Sequence, residues 1–232
     1  MKEIMGNALR KSNAEYTEIR IEDVTASEVI FRGEELDNIS SSRTTGGIVR
    51  ALYKGGWGYA TFNDLNGMEI SVKEACEFAR LTGKGESQLA EVVPVVDKIT
   101  AIMEKDFRQI TLAEKKAAIE EYNRIVMNHH EKIETSNVGY QDSFRKVWYA
   151  NSDGAYIEDE RPFVTGYIMA AAREGHNVQV GLEASGGTAG FQLVEGLQVK
   201  AETVAKRAVE LLFAPPVTGG KYTVILNPIR II

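Results

Sequence analysis

A single cysteine, Cys76, is all that the 232 residues contain, so no intramolecular disulfide can form and no cysteine cluster can hold a metal. That scarcity fits a reducing compartment. Histidine is sparse as well: of three copies, His129 and His130 are adjacent and His176 sits in the turn-like stretch REGHN, which makes no catalytic triad. Positive charge is also short, with 27 Lys plus Arg against 33 Asp plus Glu and a net charge of −6, and no run of five basic residues occurs. Nucleic-acid affinity comes largely from clustered cations that release counterions, so no nucleic-acid partner is expected. Nowhere does an apolar run reach the roughly 18 residues of a membrane span, and MKEIMGNALRK lacks the basic, apolar and small-residue segments of a secretory signal. The expectation is a cytoplasmic protein with no membrane partner.

What the chain does have is patterning. Its 44% hydrophobic and 26% charged content is that of an average soluble globular protein, and its length is enough to bury about 70% of the unfolded surface. Residues 1–83 read as an N-terminal α+β module. Ile4, Ala8 and Leu9 mark a short amphipathic helix, and YTEIRIEDVTASEVIF alternates at period two as a long half-buried strand. RGEELDNIS supplies a turn at Gly33 and a second short strand, and GGIVRALYKGGWGYATFN a third, whose Gly55, Gly56 and Gly58 mark a bulge or a close backbone approach. A helix over 71–81 buries Val72, Ala75, Cys76 and Ala79. Residues 84–110 read as a linker.

The second module spans residues 111–216. It opens on a Thr111-x-x-Glu114 capping box and a helix whose buried stripe is Ala118, Ile119, Tyr122, Ile125 and Val126. KIETSNVGY, FRKVWYA, AYIEDERPFVTGYIMAAAREG, NVQVGLEA and GFQLVEG then read as an antiparallel meander, with NSDG and Gly186-Gly187 as turns. A last helix over about 198–212 carries Val204, Ala205, Ala208, Val209, Leu211 and Leu212 before Pro215-Pro216 stops it. In residues 217–232, KYTVIL reads as a buried strand that ends as soon as it forms. The fold class is therefore α+β: two modules with antiparallel sheets and packed helices, followed by the first strand of a further C-terminal domain.

Candidate chemistry is thin. His129-His130-Glu131 with Glu134 looks like part of a zinc helix, but that pattern needs two histidines one turn apart, and Glu134 holds the second position. These residues read instead as the solvated end of a helix, where a cationic histidine suits the C-terminal dipole. KGGWGYA and ASGGTAG lack the ordered strand, Gly-x-Gly-x-x-Gly and helix of a phosphate loop. In YIEDERP, alternation separates Glu158 and Glu160 from Asp159, and the stretch reads as a solvated edge strand guarded by Pro162 and charge. Trp57, Trp148 and Tyr149 read as core or interface anchors. No catalytic, metal or substrate-binding residue is assigned from these patterns.

Three blocks in order, TTGGIVRALYKGGWGYATFND, YANSDGAYIEDERPFVTGYIMAAAREG and APPVTGGKYTVILNP, resemble the N-terminal part of the TldD/PmbA family, closer to its TldD branch. The resemblance runs from about residue 15 to 228. This family also carries the label of DNA gyrase modulator, which rests on naming alone. The resemblance implies a cytosolic zinc metallopeptidase acting on peptides as a homodimer or as a heterodimer of family members. In relatives a strand like KYTVILNP leads into a His-Glu-x-x-x-His helix, and here the corresponding sequence is IRII. No zinc is therefore expected in this chain, although it is expected in the full-length relatives. The chain reads as the substrate-handling and dimerisation region of such a peptidase, inactive alone. The alternative is a stand-alone binding or assembly module that partners a full-length relative.

Overall fold

The central strand sets the architecture by parity. Along β1 (Tyr16–Arg32), Thr17, Ile19, Ile21, Ser27, Val29 and Phe31 are buried while their even-numbered neighbours are not. One face of the strand therefore belongs to a core and the other does not. The computed structural model describes residues 1–225. β1 pairs antiparallel with β2 (Glu35–Tyr53), from Tyr16↔Leu52 to Arg32↔Glu35, with one register shift at Ile30/Phe31. On its other side it pairs with β5 (Ile133–Asn151), from Glu18↔Asn151 to Arg32↔Asn137. β3 (Gly56–Phe62) extends the sheet beyond β2, and β6 (Tyr156–Glu174) beyond β5. The far side of β6 is shared. β4 (Val96–Ile99) runs parallel to it at Tyr156 to Asp159, and β7 (Asn177–Gly187) antiparallel at Val164 to Glu174. Among the described residues this makes one α+β fold with a seven-stranded sheet and four helices.

Those helices are α1 (Lys2–Leu9), α2 (Met68–Thr82), α3 (Leu112–Met127) and α4 (Gln198–Leu212). Their lengths explain why the sheet carries two cores. A 19-residue strand reaches about 60 Å, whereas a 15-residue helix reaches about 22 Å. α1 and α2 cover one end, where Met5, Ala8, Val72, Ala75 and Cys76 meet Ile19, Ile21, Val49 and Phe62. At the other end α3 and α4 bring Ile119, Tyr122, Val126, Val204 and Ala208 onto Val29, Val138, Tyr140 and Ile168. Between the cores the same sheet face turns ionic. Asp23, Lys146 and Glu160 stand opposite one another across β1, β5 and β6. Lys146 Nζ lies 3.4 Å from Glu160, and Arg43 grips Asp23 through two bonds of 3.0 and 2.7 Å.

Several expectations hold for local reasons. The Thr111 capping box forms with both reciprocal bonds, and α2 buries the expected face. Gly58 is a close approach: a Cβ there would lie 2.0 Å from the carbonyl oxygen of Ala75 in α2. Others need correction. RGEELDNIS and GGIVRALY are one strand, β2, because β1 offers a partner along the whole length; the hairpin turn falls at Lys54-Gly55. The strands expected in two modules form a single sheet. Within the expected linker, Val96–Ile99 is a strand and Phe107 is buried.

YIEDERP is not an edge, since β5 flanks it on one side and β4 on the other, and its Glu158 and Glu160 face Lys146. Pro162 falls between the reaches of β4 and β7, where no strand among the described residues asks for its missing N–H. GFQLVEG forms a 3-10 turn at Phe191–Leu193 instead of a strand, and Phe191 anchors it in the core. Of the expected terminal strand KYTVIL, residues 221–225 have no regular structure; the remainder, with Ile229, Ile231 and Ile232, lies outside the described residues.

α3 is tied to the sheet by a buried polar network. Lys115 Nζ donates to Asp142 at 2.5 Å and to Ser27 at 2.9 Å, and the hydroxyls of Ser27 and Tyr140 each donate to Asp142 at 2.5 Å. The charged side chains are each 6% exposed, so removing one partner strands the other in a medium that cannot solvate it. Lys115→Met is expected to lower unfolding free energy by about 3–5 kcal/mol in urea titrations. A Lys115→Met/Asp142→Leu double variant should recover a measurable part of that loss, because it leaves no buried charge unpaired.

Candidate functional site

The sheet face opposite the two cores, on which no helix of the described residues packs, holds the strongest candidate, and strand register builds it. Tyr16 and Glu18 share this face of β1 at i, i+2. Register places Arg50 of β2 and Asn151 of β5 opposite Glu18. Trp57 of β3 pairs with Leu52, itself opposite Tyr16, while Tyr149 pairs with Ile157 of β6. Residues 89–95 arch over this patch with Leu89, Val92, Val93, Pro94 and Val95, leaving a cavity of about 390 Å³.

The polar atoms on the cavity floor are largely bound to one another. Arg50 Nε donates to Glu18 Oε1 at 2.5 Å, and the hydroxyls of Tyr16 and Tyr149 donate to Oε2 at 2.7 and 3.1 Å. The two hydroxyls lie 2.9 Å apart. Burial pushes the Glu18 carboxyl upward, but the Arg50 bond and the tyrosine hydroxyls outweigh it and hold the group below its usual range. Burial, aided by the bonds to Tyr149 and Glu18, drives the Tyr16 hydroxyl far above its ordinary value, and burial raises Tyr149 as well. An ionised carboxylate gripped by a guanidinium and two firmly protonated phenols are not poised for proton transfer near neutrality. The walls are aromatic: Tyr16 meets Trp57 edge-on at 6.3 Å, and Arg50 lies over the Trp57 ring at 5.1 Å. The cavity thus offers apolar and aromatic surface above an internally paired polar floor.

Residues singled out in the sequence divide accordingly. Trp57 and Tyr149 line this cavity, whereas Trp148 packs against the first core from the other face. His129, His130, Glu131 and His176 are exposed; His130 Nδ1 accepts from the Lys132 amide at 3.0 Å, and Glu134 pairs with Arg173 at 2.7 Å. Among the described residues no three His, Cys, Asp or Glu side chains converge to hold a metal, so these donors do not fit one. Sequence reasoning missed Tyr16, Glu18, Arg50, Asn151 and the 89–95 arch. Its available signal was the Tyr16/Glu18 spacing within an alternating strand, but the partners follow from register. Among the described residues no helix is long and apolar enough to cross a membrane.

Comparison with known proteins gives a consistent picture. Residues 17–79 match the PmbA/TldA metallopeptidase domain 1 and residues 105–212 the PmbA/TldA metallopeptidase central domain. The arch and β4 fall between the two matched stretches. A metalloprotease of Synechocystis sp. is 36% identical over 220 residues, covering 94% of this chain and 48% of the relative. Another from Methanocaldococcus jannaschii is 30% identical over 220 residues, covering 92% and 48%. The chain spans about half the length of the curated relatives it matches. A Thermotoga maritima protein solved as a proposed modulator of a DNA gyrase has a TM-score of 0.76 at 15% identity, over 94% of this chain and 50% of that one. TldE from Thermococcus kodakarensis gives 0.68 at 14%, over 92% and 47%. At such identities these structures show the fold alone.

Glu18 provides a pH test of the floor network. Its folded carboxyl is held below the usual value of 4.5, so the stability it contributes is present above that value and is lost as pH falls through the folded value. The stability deficit of Glu18→Gln in urea titrations should therefore be largest near neutrality and shrink below about pH 4. A deficit independent of pH would show that the charge of Glu18 does not hold the floor together.

Proposed function

The chain belongs to the PmbA/TldD metallopeptidase family, matching its first and central domains, and on that premise we propose that it is the substrate-handling and dimerisation region of a peptidase of that family, TldD-like and zinc-dependent at full length. The observation that carries the reading is the open sheet face: an apolar-walled cavity beside a sheet edge where an extended segment already lies. Extended peptides are recognised in this way, with main-chain bonds giving affinity and pockets taking alternate side chains. Peptide hydrolysis by zinc needs three protein ligands, an open position for water and a nearby carboxylate. The described residues do not bring such a set together. This region therefore binds and orients peptide, and bond cleavage belongs to residues elsewhere in the full-length peptidase. The functional units are residues 1–83, 84–110, 111–216 and 217–232. The buried free thiol of Cys76 supports a cytoplasmic location.

A second reading, a stand-alone assembly module that pairs with a full-length relative, draws on the segment after α4. Phe213, Val217 and Val224 are exposed there, and Ile225 is 97% exposed. Apolar surface of that kind favours association.

Purified protein is expected to hold far less than one zinc per chain and to leave an unstructured peptide intact; one tightly held zinc, found by metal analysis, would refute the division of labour. Titrated with an extended apolar peptide, labelled protein should show amide shifts on β1, β5 and β6, and silence at peptide concentrations of about 1 mM would remove the substrate-handling role. Light scattering should give a mass above that of one chain, and a strict monomer at all concentrations would count against the dimerisation role.

A further inference from the structure

The segment that roofs the cavity is badly suited to being a permanent part of the fold. Val92, Val93, Val95, Val96 and Ile99 are β-prone apolar residues, interrupted by Pro94 and by the Asp97-Lys98 pair, yet Val92 is 75% and Val93 84% exposed. All four residues of β4 are exposed too. The hold on β6 is short: four register positions, Val96↔Tyr156 to Ile99↔Asp159, plus the Tyr156 amide donating to the Val95 carbonyl at 2.8 Å. Beyond it the Ala101 amide donates to Glu160 at 3.2 Å. By contrast β5 pairs with β6 from Ile133↔Ala172 to Ala150↔Tyr156.

The fit below is loose as well. Pro94 and Val95 leave about 390 Å³ between themselves and Trp57, Tyr149 and Ile157, whereas an apolar cavity of about 150 Å³ already accepts a benzene ring. A strand-addition edge is thus occupied by the chain's own peptide, whose side chains are too small for the subsite they cover. We infer that this occupant is exchangeable: an extended peptide running parallel to β6, with a bulky apolar side chain in the place of Val95, displaces residues 89–99 and fills the cavity. The inference rests on the substrate-handling reading and names its ligand. The β6 amides that face β4, Tyr156 and by alternation Glu158, bond to the ligand main chain and impose no sequence. Selectivity comes from the anchor side chain. Because Glu18 is neutralised by Arg50 and Asp153 stands at the rim, the subsite favours an uncharged or aromatic anchor and rejects an acidic one.

A competing intramolecular strand lowers apparent affinity by the fraction of molecules in which the site is free. The test uses the full chain and one probe, a synthetic octapeptide with the sequence of residues 92–99 carrying Val95→Phe. Two variants bracket the unchanged protein: residues 89–95 replaced by Gly/Ser of equal length, which weakens the resident strand, and Val95→Phe within the chain, which fills the cavity from inside. By calorimetric titration the Gly/Ser chain should bind the probe about tenfold more tightly than the unchanged chain. In-chain Val95→Phe should raise the melting temperature and weaken the probe by about tenfold. Amide exchange at Tyr156 and Glu158 should change on binding. Equal affinity for all three chains, or probe contacts mapping to other strands, would overturn the exchange and leave substrate handling standing. Binding to none of the three would overturn both.

Discussion

Strand length is the constraint from which the rest of this fold follows. Three strands of 19 residues run well past the reach of any helix among the described residues, so no single helix can shield the sheet. Two helix pairs share the task and leave a seam between their cores. Apolar side chains in the seam would face water, and the seam is instead made of Asp23, Arg43, Lys146 and Glu160, whose charges answer one another across adjacent strands. The Lys115 network stands at the start of α3, where it fixes how that helix lies on the sheet.

Among the described residues no helix packs on the opposite face, which leaves it open. Its chemistry is nevertheless restrained. Glu18, the obvious reactive group of the cavity, is bound to Arg50 and two tyrosine hydroxyls, so its charge is spent on holding the floor together. What remains on offer is shape and aromatic surface from Trp57, Tyr16 and Tyr149, beside a sheet edge with main-chain groups. Main-chain groups and an apolar surface of this kind discriminate little among side chains, which is the property that the proposed peptide-holding role draws on.

Legibility in the sequence tracked the distance over which each feature is decided. The α3 cap and the α2 face depend on residues three and four apart and stand where the spacing put them, while in α4 Val204, Ala205, Ala208 and Leu212 are buried and Leu211 is exposed. The pattern of β2 reads as two strands because its first half, around Ser40 to Ser42, is polar on both faces; it is one strand because β1 pairs with it throughout. The charges of YIEDERP suggested water, but Lys146 on the neighbouring strand compensates Glu158 and Glu160. Trp57 and Tyr149 stand out in the sequence and Arg50 does not. Nothing local to Arg50 announces that Glu18, 32 positions earlier, lies opposite it.

The amino-acid order by itself determined the α+β class, the helices with their buried stripes, the alternation of β1 and the family, since each is carried by short-range periodicity or contiguous blocks. Tertiary structure alone decided that the strands join one sheet, that its ionic seam is internally paired, and that residues 89–99 lie across an apolar cavity. The reason is register: a strand's own pattern states which side chains share a face, but not which residue of another strand will stand beside them.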